Sequence, residues 1–242
     1  MTSLPRPVDS HSTTLAASLA EVRARIAAAE QRSGRPHGSA TLIGVIKTLP
    51  GEVVAQAVAL GIADLGENRV QEAEQHQQVV ARTSARWHMI GHLQRNKVGR
   101  AVTMFDLVHG VDDVELAATI ARRAHALGRR MPVLIEVNTS GEASKFGVTP
   151  EALPSLLEQV AGLEREGGLE LRGLMTVGAP VERPEEARAG FARLRELRDA
   201  AQQRIGHPMP ELSMGMSGDY EVAIEEGATL VRVGTALFGA RH

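Results

Sequence analysis

The chain has 242 residues, with 27 lysines and arginines against 29 aspartates and glutamates, a net charge of −2. That balance argues against a binder of nucleic acid or of an anionic membrane surface, which would need a basic patch, and no apolar run reaches the roughly 18–20 residues of a membrane span. With 43 % hydrophobic residues and no cysteine, the chain can bury a large core but has no disulfide, thiol nucleophile or thiolate metal site.

Residues 1–12, polar and carrying Pro5 and Pro7, read as a flexible tail and not as a signal peptide, so a cytoplasmic location is expected. Leu15, Leu19, Val22 and Ile26 then recur at helical spacing, and Gly34 and Pro36 mark the end of that helix. Eight short runs follow: Leu42–Lys47, Asp64–Asn68, Arg86–Gly91, Leu107–Val111, Pro132–Thr139, Leu171–Val177, Glu211–Ser217 and Thr229–Thr235. Each is too short for a helix, and several are apolar throughout, as strands buried on both faces are.

Helix signals fill the gaps. Asp112–Glu115 resembles a capping box before Leu116, Ile120 and Leu127, with Gly128 closing that stretch. Pro184 stands where a first helical residue belongs, followed by Glu185 and Glu186, and Phe191, Leu194, Ala201 and Ile205 mark one apolar face. Residues 150–166 and 218–226 read as helices too. Eight strands alternating with helices is the arithmetic of a single-domain (β/α)8 TIM barrel over residues 13–242, with an extra N-terminal helix. The competing reading is an open doubly wound sheet, but no Gly-x-Gly-x-x-Gly turn follows the first strand. Only 2 % aromatic residues leave the core to branched aliphatics and offer no obvious association surface, so a monomer is expected.

Barrel enzymes keep their sites at the C-terminal ends of the strands, and the unusual residues fall there. Lys47 ends the first run. Held by its strand, its amine either attacks a carbonyl to form a Schiff base or ends in water. Asn68, after the second strand, either contacts a ligand or caps the next helix. His88 and His92 have metal-ligand spacing only if they share a helix, and their segment reads as a strand. The loops Ser213–Asp219 and Gly234-Thr235 follow strands seven and eight, where barrels commonly bind phosphate. Arg232, in an otherwise apolar strand, needs a partner if it points inward. A phosphate pocket facing a lysine amine suggests pyridoxal 5′-phosphate (PLP).

From about Leu15 to Arg241 the sequence resembles the pyridoxal phosphate homeostasis proteins. The resemblance rests on GVIKT (44–48), LGENRVQE (65–72), WHMIGHLQRNKV (87–98), VNTSGEASKFGV (137–148), LRGLMTVG (171–178) and the long C-terminal block 212–241. It implies a fold-type III PLP barrel like the alanine racemase N-terminal domain, with Lys47 as the Schiff-base lysine. Ser213, Gly234, Thr235 and backbone near Met214 would hold the phosphate, Arg232 would face the pyridine nitrogen, and Asn68 would line the pocket. Ile46 and Leu49 replace the serine and lysine usual on either side of that lysine, and strand alternation turns Ile46 away from it. The implied role is that of a PLP carrier in vitamin B6 homeostasis, with apo PLP enzymes as recipients. The alternative is an amino-acid racemase, whose second base is a tyrosine from a further domain. Here the sequence stops soon after the eighth strand, and its one tyrosine, Tyr220, is expected to pack at a helix start.

Overall fold

Parallel strands need a long crossover, and each apolar run here is followed by a helix that brings the chain back across the sheet. A computed structural model of the chain describes residues 10–142, 145–178 and 181–240. Helix α1 (Ser10–Arg32) leads into β1 (Thr41–Val45), α2 (Gly51–Ala59), β2 (Asp64–Glu67), α3 (Val70–Val79) and β3 (Arg86–Met89). Then come α4 (Val98–Met104), β4 (Leu107–Val111), α5 (Val114–His125), β5 (Met131–Glu136), α6 (Leu153–Glu166) and β6 (Leu169–Met175). The chain finishes with α7 (Arg188–Ile205), β7 (Glu211–Ser213), α8 (Tyr220–Glu225), β8 (Leu230–Val233) and α9 (Thr235–Phe238). The strands pair in sequence order and β8 returns to β1, closing the expected (β/α)8 barrel.

Alternation along the strands divides their side chains between two cores. Ile43, Leu107, Leu134, Met175 and Leu230 meet inside the barrel. Their sequence neighbours, among them Val108, Val133, Ile135, Leu174 and Val231, pack outward beneath the helices. The barrel also buries polar groups from its strands: Asp64, His88, His109, Ser213 and Arg232.

The stripe Leu15, Leu19, Val22 and Ile26 is buried, each side chain contributing about 1.5–3 kcal/mol. Arg25 and Arg32 on the same helix pair with Glu221 and Glu225 around α8. Helix α1 begins at Ser10 and so takes in the last three residues of the expected tail, and the rest of that tail lies outside the described residues. The cap of α5 also sits one residue later than expected. Asp113, not Asp112, accepts from the Leu116 amide (2.7 Å), while Glu115 pairs with Arg95 instead of reaching back.

Candidate functional site

On β1 the inward face carries Ile43, Val45 and, past the strand end, Lys47. Val45 and Lys47 open onto a cavity of about 530 Å³ at the C-terminal mouth of the barrel. Ile46 is fully buried in the outer core, so it points away from Lys47 as alternation requires. Among the described residues, no hydrogen bond or ion pair occupies the Lys47 amine. The turn that follows is strained: Thr48 adopts a left-handed φ of 62°, rare for a β-branched residue, and the Leu49 amide closes onto the Ile46 carbonyl (3.1 Å).

Helix α3 pins that turn. Glu72 accepts from the Thr48 amide (3.2 Å), and His76 Nε2 lies 2.8 Å from the Leu49 carbonyl. The other ring nitrogen of His76 meets the buried Glu67 carboxyl at 2.5 Å. Burial pushes Glu67 above the usual carboxylate range, and the bond to Glu67 raises His76 in turn.

Arg232 forms the floor. Its Nη1 donates to Ser213 Oγ (2.5 Å) and its Nη2 to the Thr176 carbonyl (2.8 Å), bonds that leave Nε uncommitted. Burial lowers its pKa to about 10, so it remains a cation at neutral pH. No carboxylate is paired with it among the described residues; Glu136 and Asp219 act on it through space. Glu136 is itself a wall residue, raised to about 7 first by burial and then by the charge of Asp112.

Beyond β7 the chain turns sharply at Gly215 (φ 89°), where a Cβ would lie 2.5 Å from that of Ala223. The Asp219 carboxylate accepts from the Met216 amide (2.6 Å), fixing the loop so that Ser217 Oγ accepts from the amides of Gly234 (3.0 Å) and Ala236 (3.3 Å). A hydroxyl whose oxygen is engaged in this way keeps its own proton to donate. Met216, Ser217, Gly218, Gly234 and Thr235 together form one wall of the cavity.

Two expected wall residues are displaced. Ser213 is fully buried below the cavity, bonded to Arg232 and His109, and Met214 points into the outer core with its amide spent on the Leu230 carbonyl. Because β7 ends at Ser213, the serine and methionine that reach the cavity are Ser217 and Met216, four and two residues on.

Asn68 lines the cavity, and Arg69, not Asn68, is the N-cap of α3, so the capping alternative falls away. Gly91 makes room for it: a Cβ there would stand 2.6 Å from the Asn68 carbonyl oxygen. His92 stacks on Phe146 at the mouth (4.5 Å between centroids), whereas His88 is buried in β3, and no metal-binding cluster exists among the described residues. Tyr220 is buried away from the cavity lining, with the Arg25 guanidinium 5.5 Å over its ring.

Residues 17–242 match the family model of the alanine racemase N-terminal domain. The pyridoxal phosphate homeostasis protein of Aquifex aeolicus is 44 % identical over 92 % of this chain and 96 % of its own. The chain belongs to the pyridoxal phosphate homeostasis protein family. Another similar protein is PipY of Synechococcus elongatus, solved with PLP bound. It is 36 % identical with a TM-score of 0.81, over 93 % of this chain and all of that one. An alanine racemase of Clostridium difficile shares the fold at 16 % identity and a TM-score of 0.75, over 95 % of this chain and 57 % of the racemase.

Sequence reasoning for this family member missed Glu136, and it placed Met216 and Ser217 in a phosphate loop and Phe146 in a polar loop without singling out any of the three. Glu136 hides in the apolar run PVLIEV, and the stacking of Phe146 on His92 joins two distant loops with no local signal.

Proposed function

We propose that the chain binds PLP in this cavity and carries it on Lys47. The observation that carries the reading is an unengaged primary amine and a guanidinium with no carboxylate partner in one cavity, beside a wall that carries the Ser217 and Thr235 hydroxyls. The donor set fits the cofactor's aldehyde, phosphate and ring nitrogen. Ser217, Gly234 and Thr235 would take the phosphate, Arg232 the ring nitrogen, and Asn68 the wall beside the ring. When bound, PLP supplies an aldehyde that condenses with a primary amine and releases water.

Arg232, a cation, disfavours a proton on the ring nitrogen and so weakens the ring as an electron sink. That favours holding the cofactor over carbanion chemistry. Racemisation would also need an acid/base group on each substrate face, and the tyrosine of this chain lies outside the cavity. We therefore read the protein as a cytoplasmic, monomeric PLP carrier that passes its cofactor to apo-enzymes, not as a racemase.

Titrating cofactor-free protein with PLP tests this reading. A saturable visible band in the wild type, absent in Lys47→Ala, is expected, together with activation of an added apo-enzyme and no Lys47-dependent racemisation of alanine. Robust racemisation would replace the carrier reading, and no saturable band would end it.

A further inference from the structure

A line of hydrogen bonds descends from the cavity floor through the barrel to its opposite face. Arg232 Nη1 donates to Ser213 Oγ (2.5 Å), and Ser213 Oγ lies 2.9 Å from His109 Nδ1. His109 Nε2 is 3.0 Å from His88 Nδ1, and His88 Nε2 is 2.8 Å from Asp64 Oδ1. Ser213, His109 and His88 are fully buried, and Arg232 and Asp64 are nearly so. At the far end the exposed Arg86 stands 3.6 Å from the same Asp64 oxygen.

The protons in this line can be counted. A guanidinium only donates, so Ser213 Oγ accepts from Arg232 and has one proton left to give. His109 Nδ1 receives it, and His109 then carries its own proton on Nε2, facing His88. His88 accepts at Nδ1 and donates from Nε2 to the Asp64 carboxylate. Every atom is satisfied once. Running the line the other way would put two donors on Ser213 Oγ, leave the hydroxyl proton without its His109 acceptor, and require either a doubly protonated His88 or a protonated Asp64.

We infer that His109 and His88 are positioning residues for Arg232: two neutral Nε2–H imidazoles that relay its hydrogen bond one way to Asp64 and so hold the guanidinium against the cavity floor. The charged groups around His109 agree. Burial first, and after it the cations Arg232 and Arg86, hold it well below the ordinary imidazole range, and Asp64 receives the line only beyond His88. What the fixed guanidinium presents itself to rests on the PLP reading; the relay itself does not.

Long-range ¹H–¹⁵N NMR of histidine-labelled, cofactor-free protein reads the relay directly. Of the nine histidines, His88 and His109, assigned with His88→Gln and His109→Gln, are expected to be Nε2–H tautomers, and His109 is expected not to titrate between about pH 6 and 8.5. A His109 that is the Nδ1–H tautomer, or that titrates in this range, overturns the relay. For positioning, His109→Leu is expected to weaken PLP binding about tenfold, the scale of one hydrogen bond at a buried charge, and to shift the visible maximum of the bound cofactor. His109→Gln, whose amide both accepts and donates, is expected to stay within about twofold of wild type. Equal behaviour of the two variants overturns the positioning role. If no protein binds PLP, the wild type included, the cofactor reading fails while the tautomers still decide the relay.

Discussion

Glu136 is a buried carboxyl in the cavity wall, and its pKa rises from 4.5 to about 7. A folded-state pKa above the unfolded one means that the folded chain holds the proton more tightly. The associated stability is full below about pH 4.5 and is lost as pH rises through about 7. At about 1.4 kcal/mol per pKa unit, the shift amounts to about 3 kcal/mol. Glu136→Gln keeps the shape of the side chain and removes the charge. It is expected to be about 2–3 kcal/mol more stable than wild type at pH 8, the advantage shrinking below about 1 kcal/mol at pH 5. Urea unfolding at intervals between these pH values gives both curves. Parallel pH profiles, or a variant less stable than wild type at pH 8, would refute the reasoning. The physical content is that this wall carries a charge the fold would be more stable without, which is expected of a binding site and not of a packing position.

Three further outcomes follow from contacts of single residues. Ser217→Ala removes the hydroxyl that bridges the loop after β7 to the amides of Gly234 and Ala236. PLP affinity should fall about tenfold in an absorbance titration, and an unchanged affinity would take Ser217 out of the phosphate wall. Gly91→Ala sets a Cβ 2.6 Å from the Asn68 carbonyl, against backbone that must move. A loss of about 1–3 kcal/mol in urea unfolding is expected, and wild-type stability would show that this approach is not tight. Tyr220→Phe deletes a buried hydroxyl that has no partner among the described residues. Stability should hold or rise, with PLP binding unchanged; loss of cofactor binding would give Tyr220 a place at the site that its position denies it.

The barrel was legible because eight runs of apolar residues punctuated by helix signals admit few topologies; five strands lie within those runs, and β1, β5 and β6 start one or two residues before theirs. Lys47, Asn68, Arg232, Gly234 and Thr235 were legible for the same reason: a strand end in a barrel is an address, and all five line the cavity. Ser213 and Met214, which the resemblance implied, do not line the cavity, although Glu211–Ser217 looks like one continuous strand. Pairing stops after three residues, and Gly215 turns the chain so that the wall begins at Met216. Glu136 was invisible because nothing in an apolar run distinguishes a carboxylate facing a cavity from one at a strand end. Nor could spacing reveal that His88 and His109, 21 residues apart, would meet inside the barrel, since parallel strands joined by crossovers bring together residues that no local period relates.

The central claim is that Lys47 carries the cofactor, and reduction followed by peptide mapping tests it most directly. Protein loaded with PLP is treated with borohydride, digested, and its modified peptide sequenced by mass spectrometry. A single phosphopyridoxyl group on Lys47, absent from identically treated Lys47→Ala, is the predicted result. Modification spread over other lysines, or an equal yield in the variant, would contradict the account.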